Sequence, residues 1–565
     1  MAVRGKMMGE MLIKRGVISN EQLAAALEEQ RDSEDKLGSV LVKRGVLTEQ
    51  QLRETLEFIL GIPQVQISKA EIDPEAVKML PPEMIRRHRA LPIARRKHSL
   101  TVAMDDPLNQ QSLDDMRIAS GLDIVPVLAS AKELDLAIRQ YLAFQLDPGM
   151  ERILGELCQD NRNAVLSLKD TDLPKIDNEA PIIRMVNAIL MQAVRDRASD
   201  VHLEPQAEHI RVRFRIDGEL YQILTLPRNS LAAIVSRLKI MAGMDIAEKR
   251  IPQDGRFHMQ VEQGQVDFRV SSLPTSHGEK IALRVLDQSN APIRIEQLGL
   301  SAQNREKLVA MARRPHGIIL VTGPTGSGKT TTLYSLLGEI NSMDRNLITL
   351  EDPIEYSLAG INQVQTNPKA GLTFASGLRS ILRQDPDVIM VGEIRDEETA
   401  RLAVQAALTG HLVFSTLHTN GAAATIARLS DMGIEDFLLA TSLTGIVSQR
   451  LVRRLCTNCR ETYLLDEKAA GRLGIPEQKR QQFFRSHGCN MCRQLGYQGR
   501  MALHEIMVLG TETRNLISRG ELAEGQLETA AIKAGMRTMK ADGIAKARQG
   551  LTSLEEVMKA VLWGS

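Results

Sequence analysis

Three observations predict a multidomain α/β protein. A glycine-rich loop, Gly323-Pro-Thr-Gly-Ser-Gly-Lys-Thr330, lies between a short apolar run and a helical stretch. From about Gly299 to Ser448, strand-like and helix-like patterns alternate, as a parallel sheet requires. The chain has 565 residues, enough for roughly four domains.

Ile318 to Val321 lead into the loop with strand character, and Thr331 to Ile340 leave it with helical character. That is the context of a phosphate-binding loop. Gly323, Gly326 and Gly328 let backbone N–H groups turn inward on phosphate oxygens, while Pro324, Thr325 and Ser327 complete the loop. The helix start at Lys329, Thr330 and Thr331 adds its positive end. Lys329 supplies a point charge for the β and γ phosphates, and the Thr330 hydroxyl is placed to ligate Mg²⁺. Residues 323–331 are therefore the expected nucleotide-binding set.

Charge and composition narrow the rest. Lys plus Arg number 71 against 70 Asp plus Glu, a net charge of +1, which argues against a broad phosphate-reading face. Aromatic residues make up only 3%, too few for base-stacking platforms. No apolar run approaches the ~20 residues of a membrane span, and Met1 to Gly16 lacks a signal-peptide core. The expected location is the cytosol, with any work at a membrane done through a partner.

The first sixty residues contain a repeat. Gly9-Glu-Met-Leu-Ile-Lys-Arg-Gly16 recurs as Gly38-Ser-Val-Leu-Val-Lys-Arg-Gly45. Ser19 with Gln22, and Thr48 with Gln51, read as capping boxes that open a helix in each copy. Residues Pro63 to Phe144 read as a small α+β module. Its strands Ala90–Ala94 and Leu100–Ala103 are separated by the basic turn Arg95–His98, and helical patterns end near Tyr141. A polar linker follows. A second α+β module starts near Ala180 with the apolar helical face Ile182, Val186, Ile189, Leu190 and Ala193. Its strands carry Arg211, Arg213, Arg215, Arg269 and Arg284 on their polar faces, and Asp217-Gly218 reads as a hairpin turn. The expected divisions are 1–145, a linker at 146–179, then 180–297, 298–448, 449–500 and 501–565. The tail is helical, with Thr552 and Glu555 expected to cap the last helix.

Within the nucleotide module, strands end at Glu351-Asp-Pro-Ile-Glu355, at Glu393 and at His418. Strand ends of one parallel sheet converge on a common crevice, so these groups should gather near the loop. Nucleotide hydrolysis needs metal support, a group that activates water, and positive charge on the transition state. Glu393 follows four apolar residues and Gly392, which reads as a Walker B strand with Gly in place of the usual Asp. Glu393 is the candidate base. Glu351, Asp352 and Glu355 are candidates for holding Mg²⁺ through waters or orienting the attacking water. His411 and His418 are candidate γ-phosphate sensors. The module shows no obvious arginine finger of its own, whereas the preceding module has arginines to spare, which implies a ring with shared sites.

Of five cysteines, four form Cys456-x2-Cys459 and Cys489-x2-Cys492, the spacing of a closed structural zinc site. Cys158 stands alone and is expected to be buried; Trp563, the sole Trp, is expected to pack.

Together these motifs resemble the secretion and pilus ATPases of type II secretion and type IV pilus assembly. The resemblance rests on Gly323–Thr330, Leu350–Glu355, Arg383–Asp396 and Thr409–His418, with Ala198–Glu204 and Pro252–Arg256 before them. It implies a hexameric, ATP- and Mg²⁺-dependent enzyme with a RecA-like core, preceded by a PAS-like module. It puts Arg269 and Arg284 where the family's inter-subunit arginines lie, and Glu393 on its catalytic glutamate. It implies work beside an inner-membrane platform protein and a cytosolic adaptor, at the inner face of the cytoplasmic membrane. Retraction ATPases of the family are shorter and lack the cysteine insertion, so the match is to an extension or export motor. The N-terminal repeat is similar to a cyclic di-GMP-binding domain whose motif begins Arg-Leu-Gly. Here the two copies have Met7-Met-Gly9 and Lys36-Leu-Gly38, which predicts weak or absent binding. The repeat favours pilus assembly over type II secretion. A P-loop nucleic-acid translocase is the remote alternative, disfavoured by charge and aromatic content. A non-hydrolysing regulatory ring is disfavoured by the intact Lys329 and Glu393.

Overall fold

The computed structural model describes residues 62–142, 181–287, 293–465 and 482–562 apart from short gaps, together with residues 18–31 and a few isolated positions near the N-terminus and in the linker. Most of the N-terminal repeat, including Met7, Lys36 and the second capping box, lies outside the described residues, as do Cys158 and Trp563. The first capping box is present. The Ser19 N–H donates to Gln22 Oε1 at 2.8 Å and the Gln22 N–H to Ser19 Oγ at 3.1 Å, opening the helix Asn20–Arg31.

The first described module holds β1 (Ala90–Arg96) and β2 (Ser99–Met104), paired antiparallel, with β3 (Asp123–Leu128) parallel to β2. The turn shrinks to Lys97-His98, because Arg95 and Arg96 remain in β1. β3 departs from the expected all-helical continuation. Pro126 sits in it, yet β3 is the edge strand, where a missing N–H donor costs no ladder bond.

The second module is a six-stranded antiparallel sheet. It comprises β4 (Asp200–Pro205), β5 (His209–Ile216), β6 (Glu219–Pro227), β7 (Gln253–Val261), β8 (Gly264–Thr275) and β9 (Gly278–Asp287), in the order β6-β5-β4-β9-β8-β7. β5 alternates buried and half-buried residues along its whole length. Val201, Leu203, Ile210, Val212 and Phe214 share one core with the helix Pro181–Arg195, whose Met185, Val186, Ile189 and Leu190 face them. The charged residues take the other face. Asp217 and Gly218 both have positive φ, at 50° and 93°, and form the two-residue hairpin turn between β5 and β6.

The nucleotide module is a seven-stranded sheet among the described residues. Its strands are β10 (Gly317–Thr322), β11 (Leu347–Glu351), β12 (Asn362–Gln365), β13 (Val388–Val391), β14 (Leu412–Leu417), β15 (Leu443–Leu455) and β18 (Tyr497–Val508), in the order β12-β11-β13-β14-β10-β15-β18. All pairs are parallel except β15 with β18. Both faces are covered, which explains why the central strands read as unbroken apolar runs. Ile318, Leu320, Ile389, Val391 and Val413 belong to one core, and Ile319, Val321, Val388, Met390 and Phe414 to the other. β15 and β18 cross the divisions expected at residues 448 and 500, so the sheet draws on sequence from both sides of the cysteine segment. That segment contains the ribbon of β16 (Arg460–Leu464) and β17 (Gln482–Ser486).

The last helix, Leu554–Leu562, is capped by Ser553 rather than Thr552: the Glu556 N–H donates to Ser553 Oγ at 3.2 Å. Thr552 instead donates its hydroxyl to the Arg453 carbonyl at 2.8 Å. Among the described residues no helix is long and apolar enough to cross a membrane.

Candidate active site

β10 delivers the glycine loop, and β11, β13 and β14 end beside it. The registers Thr322↔Leu417, Val391↔Ser415 and Leu350↔Val391 place the strand ends on one edge of the sheet. The helix Lys329–Ile340 begins directly at the loop. Lys329 Nζ donates to the Gly323 carbonyl at 2.8 Å and to the Pro324 carbonyl at 3.1 Å, so the side chain folds over the cradle. Burial holds its pKa below the ordinary lysine value, and the Glu393 carboxylate partly offsets this. Gly323 has φ 144°, and a Cβ there would lie 2.3 Å from the Gln449 carbonyl oxygen, so only glycine fits.

Glu393 is bracketed by fixed backbone. The Gly392 N–H donates to the Leu350 carbonyl at 2.8 Å, the Ile394 N–H to the Thr416 carbonyl at 3.1 Å, and Thr416 Oγ1 to the Gly392 carbonyl at 2.7 Å. A Cβ on Gly392 would sit 3.3 Å from the Leu350 carbonyl oxygen, a tight approach that suits Gly at this position. The Glu393 carboxylate pairs with Arg395 and lies 3.5 Å from His418 Nε2. Glu393, His418 and Lys329 are thus brought together.

Three expectations need correction. Glu351 is buried, and its two oxygens accept bonds from Tyr334, from Thr349 Oγ1 at 2.6 Å and from Gln363 Nε2 at 3.1 Å. Those donors fix the carboxylate at the strand end. His411 lies at the other end of β14, with Nδ1 2.9 Å from the Ala406 carbonyl, and serves the C-terminal end of the helix Glu397–Leu408. It therefore sits at the end of β14 opposite His418. Arg395, two residues beyond Glu393, puts an arginine of the nucleotide module at the site, although sequence showed no finger there.

The arginine-rich sheet face is mostly engaged within the chain. Glu204 accepts from Arg213 at 2.7 Å and from Arg211, and Lys280 lies 3.2 Å away. Burial raises the Glu204 carboxyl, but these partners outweigh it and leave the pKa at about 2. Arg215 and Arg284 share Asp200, at 3.8 Å and 3.4 Å. Arg269 reaches across to Glu355 at 3.4 Å, directly linking the two modules. Arg284 is the more exposed, at 61% against 35% for Arg269. Tyr334, Gln363, Arg395 and Gln449 are site residues that the motifs did not single out. Gln449 carried little signal, being the middle of the polar triplet Ser448-Gln449-Arg450 between apolar pairs.

The four cysteines converge, with all Sγ atoms within 4.8 Å of one another. Cys456 to Cys489 and Cys459 to Cys492 are each 3.8 Å, and Cys489 to Cys492 is 3.7 Å. A tetrahedron with arms of ~2.3 Å has edges of about 3.8 Å, so the spacing fits zinc. The Gly496 N–H donates to Cys492 Sγ at 3.2 Å and Asn458 Nδ2 to Cys489 Sγ at 3.3 Å, contacts that favour thiolates. Burial raises the Cys489 thiol, but bonds from Asn458, the Cys492 backbone and the Cys492 and Cys456 thiols bring it down to about 6. Beyond the cluster, Arg493 pairs with the buried Asp196 of the arginine-bearing module.

Comparison with known proteins gives consistent relatives. The family model described as "Type II/IV secretion system protein" matches residues 175–559, and the "MshEN domain" model matches residues 60–148. The "Type IV pilus assembly ATPase PilB" of Myxococcus xanthus is 44% identical over 98% of this chain and 98% of its own. The "Type II secretion system protein E" of Aeromonas hydrophila is 51% identical over 69% of this chain and 77% of its own. Among solved structures, the Legionella pneumophila ATPase DotB superposes with a TM-score of 0.51 at 23% identity, covering 69% of this chain and 98% of that one, a likeness of fold.

Proposed function

The chain belongs to the type II/IV secretion system protein family and is an ATPase; from that premise we propose that it powers type IV pilus assembly. One observation carries the choice. The pilus-assembly relative aligns over 98% of both chains, whereas the type II secretion relative leaves about a third of this chain unmatched. Deletion of the gene should remove surface pili while secreted enzymes still leave the cell. Pili retained with secretion lost would move the protein to type II secretion.

In the proposed mechanism, loop N–H groups and Lys329 would hold the ATP phosphates, and the Thr330 hydroxyl would help hold Mg²⁺, which when bound would supply neutralisation of phosphate charge. Glu393 takes the proton of the attacking water, with His418 and Arg395 orienting its carboxylate. Arg269 and Arg284 stabilise the transition state, supplied between subunits of a homohexamer. Glu355 positions Arg269. The ring would work from the cytoplasmic side against an inner-membrane platform protein and a cytosolic adaptor.

The cysteine cluster is proposed to hold zinc as a structural ion. Metal analysis of freshly purified protein should find about one zinc per chain. Cys459→Ser should lower that ratio and loosen the segment before it weakens nucleotide binding. A ratio well below one in intact protein would count against the assignment.

The N-terminal module is proposed to bind cyclic di-GMP weakly or not at all. Arginine can both stack on a guanine and bond its edge in a bidentate way, which Met7 and Lys36 cannot. Losing one charge-assisted contact costs ~1.5–3 kcal/mol, or about one to two decades of affinity. Calorimetry on the full chain should show no sub-micromolar binding, and such binding would refute the proposal.

A further inference from the structure

We propose that Gln449 is a positioning residue that sets the shape of the phosphate loop. It lies on β15, outside the loop and helix it contacts, and is 1% exposed. Its Nε2 donates to the Ser327 carbonyl at 2.8 Å. Its Oε1 accepts the Thr332 hydroxyl at 2.8 Å. One amide thus ties the loop to the first turn of the helix that follows. The Ser327 carbonyl fixes the amide orientation, because the flipped form would set two acceptors face to face.

The backbone of Gln449 contributes as well. Its carbonyl oxygen occupies the space that a Cβ on Gly323 would enter, and its Nε2 would lie 3.2 Å from a Cβ on Gly328. Both glycines are thus packed against this one residue. The peptide carrying the Ser327 carbonyl joins Ser327 to Gly328, the N-cap of the helix that begins at Lys329 and is aimed at phosphate. A carbonyl pulled toward Gln449 turns the following N–H the opposite way, toward the nucleotide. Gln449 therefore acts on ground-state phosphate binding, whereas Glu393 acts on the attacking water. This inference rests on residues 323–330 being the phosphate cradle.

The test uses the full chain and Mg²⁺ with ATP or ADP. Gln449→Met keeps volume and removes both bonds. It should raise KM for ATP and Kd for ADP by roughly tenfold, the weight of one or two buried hydrogen bonds. Its kcat at saturation should stay within about threefold of wild type, the pattern of lost uniform binding. Thr332→Val should shift KM in the same direction by less. Adding Thr332→Val to Gln449→Met should change KM little further, because both act through one amide. A wild-type KM in Gln449→Met, a fall in kcat with KM unchanged, or additive effects would each overturn the inference. Should Gln449→Met not fold, an unchanged KM in Thr332→Val overturns it. Lys329→Ala run alongside separates the premise: nucleotide affinity unaffected by that change would mean the cradle itself is misassigned. Affinity lost in Lys329→Ala but kept in Gln449→Met removes only the role of Gln449.

Discussion

Glu393→Gln should bind ATP with near-normal affinity and hydrolyse it at least 10²–10⁴ times more slowly, the usual contribution of a positioned base. The substitution keeps size and one acceptor oxygen, and removes the negative charge and with it the proton acceptor. The Thr416 hydroxyl and the Leu350 and Thr416 carbonyls hold backbone on either side of Glu393, so the loop should keep its place. The Arg395 ion pair is lost with the charge, but Arg395 is well exposed and returns to water at little cost. Single-turnover hydrolysis checks the result, and wild-type turnover would remove Glu393 from its role.

Arg269→Ala and Arg284→Ala should each reduce turnover by about 10³ or more if the guanidinium meets transition-state charge. The two differ in their resting state. Arg269 already spans to Glu355, so its loss also frees the contact between the modules, and nucleotide affinity should fall alongside kcat. Among the described residues Arg284 pairs with Asp200 and, being the more exposed, is the freer to reach a neighbouring subunit. Mixing Arg284→Ala with Glu393→Gln should recover part of the activity, because some interfaces then contain both groups. Failure of every mixture to recover activity, with rings still formed, would place the arginine in its own subunit's site.

The parts of the fold that could be read in advance are those set by burial. Strands covered on both faces, such as Ile318 to Val321 and Val388 to Val391, must be apolar throughout, and the sequence shows it. β3 escaped because Pro126 looks like a strand breaker unless the edge position is known. The site divides the same way. Lys329, Glu393 and the cysteines are tied to local spacing and were legible. His411 and His418 look alike in sequence, yet β14 lies between them and separates them by on the order of 20 Å. Glu351 is read correctly only when Tyr334 and Gln363 are seen to bond it. Gln449 meets Ser327 across 122 positions of sequence, a separation no motif records.

The cysteine segment leaves the sheet after β15 and returns at β18, strands that pair directly with Leu455 opposite Tyr497. The stretch starts and ends at neighbouring points, and it is tied further by Arg493 to Asp196 and by Phe483, buried against Leu503, Met539 and Val557. Lengthening such an excursion is thermodynamically mild, about 0.6 kcal/mol per doubling of length. Added length at its exposed turns can therefore be absorbed while the β15–β18 register stays fixed, whereas deleting the stretch would uncover Val452, Leu503 and Val557.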